Sequence, residues 1–126
     1  MPHLSLEYSD NIDFEIQPLL ARLHEAMVAT GAVNMKGLKS RAIRRSDYRI
    51  ADGYEGYGFV HLNILIRDGR DLETQQEIAR RTMAVLKDTF GHYFDEGYLS
   101  LSVDIKEMKA GLALTHHNIP AGGVAT

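Results

Sequence analysis

One arrangement recurs along this 126-residue chain and narrows the folds open to it: strand pattern, helix pattern, strand pattern, read twice. Residues 3–8 alternate, with Leu4, Leu6 and Tyr8 on one face, as in a half-buried strand. Ser9-Asp10-Asn11 turn the chain. Ile16, Leu20, Leu23 and Met27 then fall at i, i+4, i+7 and i+11, the stripe of an amphipathic helix, and Thr30-Gly31 supplies a stop. A second strand is predicted over about 39–46, with Lys39, Arg41, Ile43 and Arg45 on one face.

The order then repeats. Phe59–Ile66 reads as an apolar strand covered on both faces, and Arg67-Asp68-Gly69-Arg70-Asp71 lead into a helix with Asp71 as N-cap. Ala79, Met83, Leu86 and Phe90 restore the helical spacing, Gly91 is the predicted stop, and a last strand is expected over about 98–106. His3-Leu4-Ser5-Leu6 is echoed by His61-Leu62-Asn63-Ile64. These patterns predict an α/β (α+β) chain forming one domain over 1–126. It consists of two fused β-α-β units, pseudo-repeats of about 1–56 and 57–108, each with parallel strands and a right-handed crossover. A loop over 46–58 joins them. The tail, 109–126, is expected to be extended and to lie against a neighbouring subunit.

Charge and cysteine content narrow the function. A net charge of −3 argues against nucleic acid or an anionic membrane as partner, since both call for a basic surface. No apolar run reaches the roughly 20 residues that span a bilayer, and the start, Met1-Pro2-His3-Leu4, lacks the pattern of a secretion signal. With no cysteine, thiolate metal sites and disulfides are excluded, and the cytoplasm is the expected compartment. His3, His61, His116 and His117 match no zinc spacing, so neither metal nor cofactor is expected.

Two features carry chemistry. If Met1 is removed, Pro2 becomes a secondary amine at the start of a strand. Apolar burial or nearby cations favour the uncharged form of such an amine, which a general base requires. The alternative is a purely structural proline. The second feature is a set of arginines: Arg41, Arg44 and Arg45 around the second strand, Arg67 and Arg70 before the second helix. Arg70 stands where helix-terminal N–H groups already favour an anion, and a guanidinium can grip a carboxylate with two parallel hydrogen bonds. Arg44 and Arg67 read as surface charges. Tyr48, Tyr54 and Tyr57 either line a site or cover a sheet edge.

Met1-Pro2-His3, Tyr8-Ser9-Asp10-Asn11-Ile12, Ala29-Thr30-Gly31, Ser40-Arg41, Ala51-Asp52-Gly53, Phe59-Val60-His61 and Gly69-Arg70-Asp71-Leu72-Glu73 occur in an order that resembles the 5-carboxymethyl-2-hydroxymuconate delta-isomerases of the tautomerase superfamily. The resemblance weakens after about Lys106. It implies a homotrimer whose sheets form a central barrel, and a cofactor-independent isomerase in homoprotocatechuate breakdown. Its substrate would be a dienol with two or three carboxylates, converted to the conjugated 2-oxo acid. By the same resemblance Pro2 is the proton carrier, Arg41 and Arg70 are catalytic and substrate-binding, and Lys39 replaces a further substrate-binding arginine. If His3 aligns with His61, then Pro2 aligns with Val60 and Arg70 with Ile12, so neither half repeats the other's site residues. Two alternatives stay open: another tautomerase-fold enzyme of hydratase, dehalogenase or decarboxylase type acting on a small unsaturated acid, and a non-catalytic trimeric binding module.

Overall fold

The computed structural model describes residues 2–124. Its elements run β1 (His3–Ser9), α1 (Ile16–Val28), a 3-10 turn (Met35–Gly37), β2 (Lys39–Arg45), β3 (Tyr57–Arg67), α2 (Leu72–Glu96), β4 (Tyr98–Met108) and a last 3-10 turn (Ala110–Leu112). The strands form one sheet in the order β2-β1-β3-β4. β1 pairs with β2 and β3 with β4 in parallel, while β1 and β3 are antiparallel. Parallel neighbours cannot be joined by a tight turn, so each pair needs a crossover, and the helices supply it.

Both helices cover the same face of the sheet. Leu4, Leu6 and Tyr8 of β1 and Val60, Leu62, Ile64 and Ile66 of β3 share one buried cluster with Leu19, Leu20, Leu23 and Met27 of α1 and Ile78, Leu86 and Phe90 of α2. Tyr8, Phe14 and Phe90 meet edge to face, with ring centres 4.8 and 5.2 Å apart, tying the first strand to the second helix. α1 ends where Thr30 Oγ1 donates to the Met27 carbonyl at 2.6 Å and Gly31 takes φ +81°, a conformation that favours glycine.

Four sequence expectations change. β3 alternates strictly between buried and half-buried residues, so only one of its faces is covered by the helices. In α1 the core takes Leu19, and Ile16 is left exposed. In α2 the buried positions are Ile78, Thr82, Leu86 and Phe90, rotated from the stripe that apolarity picks out. Thr82 fits there because its hydroxyl donates to the Ile78 carbonyl at 2.8 Å, leaving no unmet polar group. Ala79 and Met83 instead flank Val103 in a groove between α2 and β4.

Gly91 does not end α2, which runs on to Glu96 with Gly97 as its cap. The extension brings Tyr93 to the loop before α1. Its hydroxyl accepts from the Asp13 N–H at 2.8 Å and donates to the Asp13 carbonyl at 3.2 Å. One glycine costs a helix only about 1 kcal/mol, and these contacts offset it.

Candidate active site

Strand direction decides which residues meet. β1 runs parallel to β2 and antiparallel to β3, so its start lies beside the start of one and the end of the other: His3 is opposite both Lys39 and Leu65. One end of the sheet therefore gathers Pro2, Lys39 and Arg67, with Arg70 just beyond. Pro2 is buried, and its carbonyl accepts from the Lys39 N–H at 3.2 Å.

The face of the sheet away from the helices carries the charges. Side chains in register point the same way, so Lys39, Arg41, Ile43 and Arg45 share this open face with His3, Ser5 and Glu7. A hollow of about 620 Å³ on it is lined by His3, Ser5, Glu7, Arg41, Asn63 and Lys106 among others. The cations here are not equivalent. Arg45 is neutralised by Glu7 at 3.2 Å. Arg44 donates to the Asp10 carbonyl at 3.2 Å and stays exposed, as expected of a surface charge. Lys39 and Arg41 form no ion pair among the described residues. The Lys39 Nζ is buried with no hydrogen-bond partner, an arrangement that an anion would relieve.

Arg41 is held by neutral groups. Its Nη2 lies 3.3 Å from His3 Nδ1, and its Nη1 donates to Ser5 Oγ at 3.5 Å. Burial keeps the His3 pKa below its ordinary value, and the positive charges of Arg41 and Lys39 add to the effect. The imidazole is thus disposed to be uncharged, with a lone pair for the guanidinium.

Arg70 is placed otherwise than its position at a helix start implies. It is half-buried, and its fork serves the protein: Nη2 donates to the Ala32 carbonyl at 2.9 Å and Nη1 to the Arg67 carbonyl at 3.1 Å. The helix N-terminus is satisfied by Asp71, whose carboxylate accepts from the Thr74 N–H at 2.8 Å. By holding Ala32, Arg70 fixes the segment that leads into Lys39. Arg67 is no surface charge either: it is half-buried, and its Nη2 donates to the Ala113 carbonyl at 3.2 Å, anchoring the start of the tail.

The tyrosines lie elsewhere in the chain. Tyr54, Tyr57 and Tyr98 form an edge-to-face cluster with ring centres 5.1 to 6.4 Å apart. Tyr48 packs on Phe59 and its hydroxyl donates to Asp10. Tyr57 opens β3, whereas His3 faces Leu65 near the end of that strand, a separation of roughly 25 Å at strand spacing. Within one chain they cover the opposite end of the sheet. Of the histidines, His61 bonds Asp104 at 2.6 Å, and His117 accepts from the Ile119 N–H. Among the described residues no three His, Asp or Glu side chains converge to hold a metal.

Sequence reading alone overlooks His3 and Ser5 as partners of Arg41. The signal for them is their shared parity on β1. It becomes readable only once the β1–β2 register is known, which a sequence pattern does not set.

The sequence profile of the 5-carboxymethyl-2-hydroxymuconate isomerases fits residues 2–122. The 5-carboxymethyl-2-hydroxymuconate Delta-isomerase of Escherichia coli is 31% identical over 123 residues, spanning 96% of this chain and 98% of its own. A crystal structure of a 5-carboxymethyl-2-hydroxymuconate isomerase from Deinococcus radiodurans R1 superposes with a TM-score of 0.87 at 36% identity, covering 93% of this chain and 90% of that one. A symmetric trimer of fused 4-OT shares the fold at 14% identity, with a TM-score of 0.70 over 98% of this chain and 94% of that one.

Proposed function

This chain belongs to the 5-carboxymethyl-2-hydroxymuconate isomerase family, and from that premise we propose that it converts the dienol 5-carboxymethyl-2-hydroxymuconate to its conjugated 2-oxo isomer, in the bacterial breakdown of homoprotocatechuate. It is an isomerase that transposes a C=C bond. Pro2, freed by loss of Met1, takes the proton from the 2-hydroxyl, and the electron pair moves into the diene as the C2–O bond becomes a carbonyl. The same proton is then delivered from the proline ammonium to the distal carbon, leaving the remaining double bond conjugated with the ketone. No atom is gained or lost, so no co-reactant is needed.

The observation that carries this reading is that a buried Pro2, whose carbonyl accepts from the Lys39 N–H, stands at the strand start beside Lys39, with its buried and unpartnered Nζ. Two residues further along β2 is Arg41, whose guanidinium has no carboxylate partner among the described residues. The cations serve three ends. They bind the carboxylates of the acid, and they stabilise the negative charge that develops on the C2 oxygen. They also disfavour a protonated Pro2 in the resting enzyme. Arg70, with two nitrogens engaged on carbonyls, contributes its remaining N–H groups to a carboxylate and keeps the Lys39 segment in place.

We place this chemistry in a homotrimer with the sheets around a central barrel, in the cytoplasm. What supports that assembly is the half-buried open face of the sheet, which the chain's own helices leave uncovered, together with the trimeric fused 4-OT of the same fold. The test is to follow loss of the dienol by absorbance with protein whose N-terminus has been verified by intact mass. Protein that keeps Met1, whose Pro2 nitrogen is then an amide, should have a kcat lower by about a hundredfold or more, the range for removing a general base. Pro2→Ala, which still presents a primary amine once Met1 is lost, should lower kcat by less. An intact Met1 in fully active protein defeats the reading.

A further inference from the structure

His3 and Arg41 are diagonal neighbours on the open face, because His3 is in register with Lys39 and Ser5 with Arg41. A guanidinium has only donors to offer, so its orientation depends on acceptors around it. Here two residues of one strand supply them to two different nitrogens: His3 Nδ1 is 3.3 Å from Nη2, and Ser5 Oγ is 3.5 Å from Nη1. Contacts at two nitrogens set the plane of a group that otherwise turns about four side-chain torsions. An imidazole accepts at Nδ1 only when that nitrogen carries no proton. The burial and the neighbouring cations that lower the His3 pKa favour this state.

Resting on the reading of Arg41 as a carboxylate ligand, we propose that His3 is a positioning residue: through Nδ1 it holds the Arg41 guanidinium in the orientation that receives the substrate carboxylate. His3 does not itself touch substrate. Its contribution is to pre-set an exposed, long side chain, so that less conformational freedom is lost when the acid binds.

The test compares four variants of the full chain with 5-carboxymethyl-2-hydroxymuconate as substrate. His3→Leu keeps bulk and removes the acceptor, and should raise KM about three- to tenfold with kcat within about twofold, as for lost ordering in binding alone. His3→Asn, whose amide oxygen can take the place of Nδ1, should restore KM to near the native value. Arg41→Ala should raise KM further, and adding His3→Leu to it should change nothing more. His3→Phe, planar and without an acceptor, replaces the leucine variant should that one not fold. The inference is overturned if the asparagine variant is as impaired as the leucine one, or if the leucine effect persists undiminished without Arg41. A raised KM in Arg41→Ala with a native KM in His3→Leu removes this inference alone. A native KM in Arg41→Ala removes the substrate-binding assignment of Arg41, and this inference with it.

Discussion

The two β-α-β units place a histidine in the same relation to a charged neighbour, and the neighbour has opposite sign. In the first unit His3 is in register with Lys39, and two residues further along β2 stands Arg41, 3.3 Å from the ring. In the second, His61 is in register with Ser102, and two residues further along β4 stands Asp104, 2.6 Å from the ring. The scaffold fixes the geometry and the sequence fills it differently. A histidine beside an acid forms a closed pair with no call on a third group. His3 and Ser5 together take two of the five N–H groups of Arg41 and leave the rest, with the positive charge, unpaired with any acid among the described residues. At these two equivalent places the first unit leaves a positive charge without a carboxylate partner among the described residues, and the second unit pairs its histidine with an acid.

The units also differ in length. The first has seven-residue strands and a 13-residue helix, and the second has eleven-residue strands and a 25-residue helix. The longer helix reaches over the first unit: Phe90 is fully buried against Phe14, 5.2 Å away, and Tyr93 clasps Asp13. The largest expected effect tests this sharing. Phe90→Ala should cost about 3–5 kcal/mol, the range for emptying a buried aromatic site, and should move one cooperative unfolding transition. In a denaturant titration followed by circular dichroism, a separate early transition from the first unit alone would show that the two do not share a core.

Arg41→Ala set against Asp104→Asn comes next. The first should lower kcat/KM about ten- to a hundredfold, mostly through KM, as expected when a charge-assisted bidentate contact is lost. The second should leave kcat/KM within about twofold, because Asp104 answers to His61 and not to substrate. Equal losses in steady-state kinetics would mean that both units face the ligand, and the contrast drawn from charge would fail.

Much of this was legible in the sequence, and the reasons for the rest are specific. Alternation placed Leu4, Leu6 and Tyr8 on one face of β1, and Lys39 and Arg41 together on β2, since a period of two needs no tertiary information. Most of what escaped depended on contacts distant in sequence, with Thr82 the local exception. Thr82 enters the core because its own helix satisfies its hydroxyl, which a polarity count cannot register. Gly91 stays helical because Tyr93 finds Asp13, 80 residues away. The hold of Arg70 on the Ala32 carbonyl joins residues 38 apart in sequence. The role of His3 required the register between β1 and β2.

The smallest effect concerns how each unit starts its helix. α2 opens on Asp71, whose carboxylate accepts from the Thr74 N–H, whereas α1 opens on Glu15, which makes no side-chain cap bond. Asp71→Ala should therefore lower the thermal midpoint and Glu15→Ala should leave it nearly unchanged. The difference has a definite pH dependence. The hydrogen bonds from Thr74 hold the Asp71 pKa below its ordinary value, so the unfolded chain takes up the proton first as pH falls. The cap's contribution is fully present above the ordinary carboxylate range and is lost as pH drops through the lowered folded value. Thermal melts of wild type and Asp71→Ala at neutral pH and in strong acid should accordingly converge at the acid end, and a gap that persists there would assign the effect to packing in place of the carboxylate.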